Sequence, residues 1–153
     1  MKAMMFHIGR ERYALPLAAV QRVLPVARLK ALPGAPHYVP GLLDLHGEPV
    51  PVIDLSRLAG TPPDAVRYDT RFLLVEVPAL GRLRRLGLKA ERVTGVADLG
   101  PALADGGVAA APWLGPVAVG SSAGDGAGMV QLLDPQRLLA PEVERLLFGE
   151  PAP

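Results

Sequence analysis

The chain has no cysteine, so nothing in it points to an oxidising compartment, and at 153 residues it is long enough to fold without covalent staples. Aromatic residues are scarce at 5%, too few to build a stacking platform for bases. Neither sign of charge is in excess. Sixteen basic residues against 15 acidic ones leave a net +1, which gives no electrostatic footprint for nucleic acid. No uninterrupted apolar run is long enough to span a bilayer. Met1-Lys2-Ala3 leads directly into an apolar alternating segment, with neither a signal-peptide core nor a small-residue cleavage site. These absences set the expectation of a cytoplasmic protein that binds no nucleic acid and inserts into no membrane.

Hydrophobic residues, by contrast, make up 50% and charged ones 20%, a balance that excludes intrinsic disorder. The length fits one compact unit, or two small subdomains sharing a core. Seventeen glycines and 17 prolines cut the chain into brief segments, which suits many short strands and disfavours long helices. An all-β fold is expected.

The most informative stretch is Val39 to Leu55, V-P-G-L-L-D-L-H-G-E-P-V-P-V-I-D-L, which reads as a β-hairpin. A two-residue loop at Gly47-Glu48 would make Pro49 and Pro51 hydrogen-bonding partners across the ladder, and proline has no N–H to give. A four-residue loop, His46-Gly47-Glu48-Pro49, instead makes Leu45 with Val50 and Leu43 with Val52 the bonded pairs, and turns the missing donor of Pro51 outward. One face then carries Leu43, Leu45, Val50 and Val52 as core. The other mixes Asp44, His46 and Pro51 with Leu42 and Ile53. A mixed face with a polar tip is either solvated or meets a partner.

Upstream, Met4 to Gly9 and Arg12 to Leu17 form an opening hairpin around a charged tip. Leu17, Val20, Val23 and Leu24 then shift to helical spacing until Pro25. After the central hairpin, Leu55 to Ala59 make one helical turn, and a boundary between two lobes is expected near residues 60–69. Arg71 to Val77 and Leu83 to Lys89 flank Pro78-Ala79-Leu80-Gly81 as a further hairpin. Arg82, Arg84 and Arg85 on its return strand guard an edge or greet an acidic partner. Leu99 to Ala111 reads as an irregular excursion. Trp113 to Val119 and Met129 to Leu133 read as strands joined by a mobile Gly-rich tip, Ser121 to Gly128. Pro141 to Phe148 is the clearest helix, with Gly149 as stop.

Two short patterns recur in the same order. Leu15, Val20 and Val23 repeat as Leu88, Val93 and Val96, and V-I-D-L-S-R-L at Val52 to Leu58 has a counterpart in L-L-D-P-Q-R-L at Leu132 to Leu138. Such recurrence predicts duplicated β-units about a shared core, with a groove at their junction.

Catalytic chemistry is hard to assemble. His7, His37 and His46 have no second ligand at a useful spacing, so no metal site is expected. Asp54 and Asp134 each end a strand before a turn, where capping is their expected work. Ser121 and Ser122 sit in no nucleophile elbow, and the glycine runs lack the lysine and helix of a phosphate loop. No cofactor is implied. A small hydrolase using Asp44 and His46, two apart on one strand face, stands as a remote alternative without a nucleophile.

Taken together, F-H-I-G-R-E-R-Y-A-L-P-L-A-A-V-Q-R-V-L-P and L-P-G-A-P-H-Y-V-P-G-L-L-D-L-H-G-E-P-V-P-V-I-D-L resemble the CheW-like family of chemotaxis coupling proteins, over Met5 to about Leu139. The resemblance implies a single domain of two small SH3-like β-barrels around a common core, with a short C-terminal helix. It also implies a non-enzymatic adaptor that joins the cytoplasmic tip of methyl-accepting receptors to the regulatory domain of a CheA-type histidine kinase. The family's partner-facing positions fall on Val20, Gly41, Asp44, His46, Gly47 and Val96. Two of these depart from the family pattern: Asp44 stands where Asn is usual, and His46 where Arg is common. Histidine reaches less far than arginine and lacks its bidentate fork. The departures fit a divergent, non-chemotactic kinase system, or kinase binding kept with altered receptor choice.

Overall fold

The computed structural model describes residues 1–101, 111–120 and 128–149. The described strands are β1 (Lys2–Ile8), β2 (Glu11–Pro16), β3 (Arg22–Pro25), β4 (Gly41–Leu45), β5 (Glu48–Asp54), β6 (Arg71–Ala79), β7 (Arg82–Asp98), β8 (Leu114–Val119) and β9 (Met129–Leu133). Two helices, α1 (Leu55–Leu58) and α2 (Pro141–Phe148), and 3-10 turns at Leu17–Ala19 and Pro135–Arg137 complete it. The expected all-β architecture and the C-terminal helix are both present. The excursion after Pro101 and the Gly-rich tip lie outside the described residues.

Strand order is β3-β6-β7-β1-β2-β9-β8, with β5 beside β7 and β4 beside β5. The 17-residue β7 belongs to both halves: its first part pairs with β6 and β5, and its last part pairs with β1. The transfer happens at Ala90 and Glu91, the last partner of β6 and the partner of His7. Glu91 is buried there and accepts hydrogen bonds from Ser56 Oγ (3.0 Å) and Asp64 N (2.8 Å), fastening α1 and the following link to the crossing point. Arg92 (φ 50°) and Gly95 (φ 117°) take left-handed backbone just beyond it, where the register with β1 slips and the strand bends.

The predicted repeat governs the pairing. Leu73 faces both Leu88 and Val23, and Met4 faces both Leu15 and Val96. In the parallel pairs, Val52 lies beside Gly87 and Leu132 beside Ala14. The two sequence patterns, noticed separately, thus meet in one register: β3, β6, early β7, β5 and β4 on one side correspond to late β7, β1, β2, β9 and β8 on the other. The chain passes between the groups at Leu17–Ala19 and again inside β7, so each group receives a strand from the other's hairpin.

Three apolar clusters follow from this layout. Leu24, Leu43, Leu45, Val50, Val52, Phe72 and Leu74 fill one barrel. Ala3, Met5, Ala14, Leu99, Ala118, Val130 and Leu132 fill the other. The largest cluster, including Phe6, Leu15, Ile53, Leu73, Leu86, Leu88 and Leu133, lies between them and is shared.

Several local expectations are corrected. The central hairpin turns through His46-Gly47 alone, with Leu45 opposite Glu48, Leu43 opposite Val50 and Gly41 opposite Val52. Positive φ at His46 (52°) and Gly47 (89°) matches the backbone twist of a two-residue hairpin turn. This loop puts Pro49 and Pro51 in the non-bonded pairs, so neither proline stands where the ladder needs an N–H. Pro51 is buried, facing β7 rather than solvent. The mixed face is solvated only near the tip, since Ile53 is wholly buried in the shared core. The later hairpin turns at Leu80-Gly81. The helical spacing after Leu17 gives only a 3-10 turn, because β6 captures Arg22–Pro25 as a strand.

Candidate partner-binding surface

At the hairpin tip, Asp44 Oδ1 accepts a 2.7 Å hydrogen bond from Gly47 N. That bond closes the turn, and it commits Asp44 to the backbone rather than to His46; both side chains are exposed. Among the described residues no hydrogen bond joins Asp44 to His46. Glu48, just past the turn, pairs with Arg85 at 3.0 Å and ties the tip to β7.

Gly41 lies at the other end of β4, about 17 Å from His46 at the rise of an extended strand. It is buried, and a Cβ there would stand 2.3 Å from the carbonyl oxygen of Lys30. The close approach lets Leu42 and Lys30 exchange backbone hydrogen bonds of 2.8 and 2.9 Å. Gly41 therefore shapes the base of the hairpin and has no side surface to offer a partner.

Val20 ends the 3-10 turn, its N–H donating to Leu17 O at 3.1 Å, and is half-buried against the shared core. Its repeat counterpart Val93 is packed the same way. Val96 is 50% exposed and Val23 is 42% exposed. Val23 was not among the predicted site residues, although the repeat had paired it with Val96 and so carried the signal. The six predicted positions thus separate into a polar tip (Asp44, His46, Gly47), a buried backbone position (Gly41) and valines on the segments that follow the two hairpins.

Both repeated aspartates cap. Asp54 accepts from Ser56 N (3.1 Å) and Arg57 N (3.4 Å), and Asp134 from Gln136 N (3.0 Å). Their own amides donate to Tyr38 O and Trp113 O, each at 2.8 Å. Those two aromatic residues, with Leu58 and its counterpart Leu138, line a groove of about 500 Å³ where the lobes meet. Burial, and then the charge of Glu142, raise the pKa of Tyr38, which keeps its phenol neutral at that groove.

The pairing pattern defines the class: two SH3-like barrels with exchanged strands about a shared core, carrying exposed apolar positions in equivalent places. Residues 2–142 match the family model for the CheW-like domain, and the chain belongs to that family. It is 33% identical over 70 residues to the chemotaxis protein CheW of Helicobacter pylori, covering 46% of this chain and 42% of that protein. It is 32% identical over 71 residues to protein PilI of Pseudomonas aeruginosa, covering 46% and 40% respectively. Each of these alignments spans less than half of the curated relative. The fold matches the crystal structure of the scaffolding protein TtCheW from Thermoanaerobacter tengcongensis, with a TM-score of 0.72 at 23% identity over 97% of this chain and 90% of that one. No helix among the described residues is long and apolar enough to cross a membrane.

Proposed function

We propose that the protein is a non-enzymatic signalling adaptor that couples the cytoplasmic tip of a methyl-accepting chemoreceptor to the regulatory domain of a CheA-type histidine kinase. One observation carries the reading: the family match over residues 2–142 takes in both barrels and the shared core. The adaptor works in the cytoplasm without a cofactor. Val96 and Val20 supply apolar anchors for a helical partner, while His46, Asp44 and Gly47 adjust selectivity from the hairpin tip and Gly41 holds that hairpin in place. Val96 is the sharper probe, because its exposure lets a charged replacement leave the core intact. Val96→Asp should fold normally and lose capture of receptor tip and kinase regulatory domain in a pull-down; unchanged capture of both overturns the reading. His46→Arg should keep binding, and should gain affinity for a receptor that presents carboxylates.

The histidine favours a second reading, a scaffold for a divergent, non-chemotactic histidine-kinase system. In that case the natural protein binds a kinase regulatory domain and no methyl-accepting receptor tip, a split that the same pull-down resolves.

A further inference from the structure

A second surface lies away from the valines, where β5 and β7 part. These strands pair in parallel only from Val52 beside Gly87 to Asp54 beside Lys89, and at Gly87 they approach so closely that a Cβ would stand 3.2 Å from Val52 Cγ2. Ahead of that point the ladder stops for an identifiable reason. Glu48, Val50 and Val52 direct their backbone groups at β4, so positions 49, 51 and 53 face β7, and two of those three are prolines. A parallel ladder extended by two steps would need N–H groups from Pro51 and Pro49 for the carbonyls of Arg85 and Leu83. Neither exists. Among the described residues, Arg82 to Leu86 therefore have only β6 as a strand neighbour.

The gap is a cleft of about 440 Å³ whose lining includes Glu48, Pro49, Arg82, Arg84, Arg85 and Phe148, a size suited to a short segment of chain. Its acidic groups are already engaged: Glu48 by Arg85 at 3.0 Å, and Glu76, also at the cleft, by Gln21. Its basic groups are not all engaged. Arg84 is held by Ala79 O (3.4 Å from Nε) with its guanidinium 5.6 Å from the centroid of the Phe148 ring. The Arg82 side chain makes no hydrogen bond or ion pair with the described residues. Leu83, between them, is 61% exposed.

We propose that this cleft docks a short acidic segment of a partner protein in extended conformation. Its backbone N–H groups donate to the carbonyls of Leu83 and Arg85, replacing the donors that the prolines lack. Its carboxylates meet Arg82 and Arg84, and an apolar side chain covers Leu83. The occupant is set by charge complementarity and by the open strand edge.

The test uses the full chain, isotopically labelled, titrated with the synthetic peptide acetyl-Glu-Leu-Glu-Leu-Glu-amide and followed by backbone amide shifts. The changes should centre on Arg82 to Leu86, Glu48 and Phe148, and affinity should fall as salt is raised. The glutamine-for-glutamate peptide should bind at least tenfold more weakly. Arg82→Gln with Arg84→Gln should weaken the acidic peptide at least tenfold, and Pro49→Ala with Pro51→Ala, which restores both donors and lets the ladder close, should do the same with every arginine intact. Equal binding of the two peptides, shifts centred elsewhere, or inorganic phosphate saturating the same residues as tightly as the peptide would each overturn the proposal. Neither receptor nor kinase enters the experiment, so its outcome is independent of the adaptor reading.

Discussion

Phe72 in one barrel stands where Ala3 stands in the other: Phe72 lies opposite Lys89 and Leu24, and Ala3 opposite Pro16 and Ala97. Around Phe72 the interior is built of Leu, Val and Phe; around Ala3 it includes Ala14 and Ala118. One register is thus filled with two different volumes. Pairing pattern and interior packing are therefore separable in this protein. The pairing is set by hairpins and parallel contacts that recur, while each barrel closes to the distance its own side chains permit.

The largest test of that separation is Phe72→Ala, which puts the small residue of one barrel into the other. The barrel around Leu43, Leu45 and Leu74 cannot collapse onto the missing ring, and a loss of about 3–5 kcal/mol is expected, read as a fall in the denaturation midpoint at constant slope. A loss under about 1 kcal/mol would mean that the two interiors are interchangeable. A small-to-large change in the other barrel, Ala14→Leu, overfills the alanine-lined interior and should cost about 1–3 kcal/mol; a neutral result would show that barrel to be loosely packed.

The two capping aspartates sharpen the comparison on a smaller scale. Asp54 is 2% exposed, caps two amides, and has Arg57 at 3.6 Å and Lys89 at 3.9 Å. Asp134 is more open and caps one amide, with Arg137 at 3.8 Å. Loss of an N-cap costs about 0.5–2 kcal/mol, and Asp54→Ala should fall at the upper end and Asp134→Ala at the lower in paired denaturation curves. Equal losses would remove the asymmetry. The smallest effect belongs to Asp64, in the link between α1 and β6. The Ala65 amide and the Arg67 side chain hold its carboxyl below the usual value. A depressed carboxyl stabilises the fold above the unfolded value, and that contribution is lost as pH falls through the folded one. Asp64→Asn should therefore lower stability slightly at neutral pH and leave it unchanged in strong acid, as pH-dependent unfolding would show.

Much of this was legible in the residues. Alternation in Leu43, Leu45, Val50 and Val52 assigned one core face; the spacing of Leu15, Val20 and Val23 against Leu88, Val93 and Val96 announced duplication; the position of Asp54 and Asp134 at strand ends announced caps. The family resemblance rested on the same blocks. The turn of the central hairpin was misplaced because proline placement alone admits both a His46-Gly47 loop and a four-residue one, and only the observed pairing with β4 and β7 separates them. The spread of the predicted site was hidden for a related reason: positions close in a motif, such as Gly41 and His46, are a strand's length apart once extended.

Strand alternation in the hairpins, the aspartate caps and the two recurring patterns were settled by the residues alone, because each depends on positions only a few residues apart. Only the tertiary structure decided that β7 serves both barrels, that β3 crosses to β6 despite a helical spacing, and that Ile53 and Pro51 are inside. Each of those outcomes depends on which distant strand offers hydrogen bonds and apolar cover, and pairing across the shared core outweighs the weaker local preferences of the segments it captures.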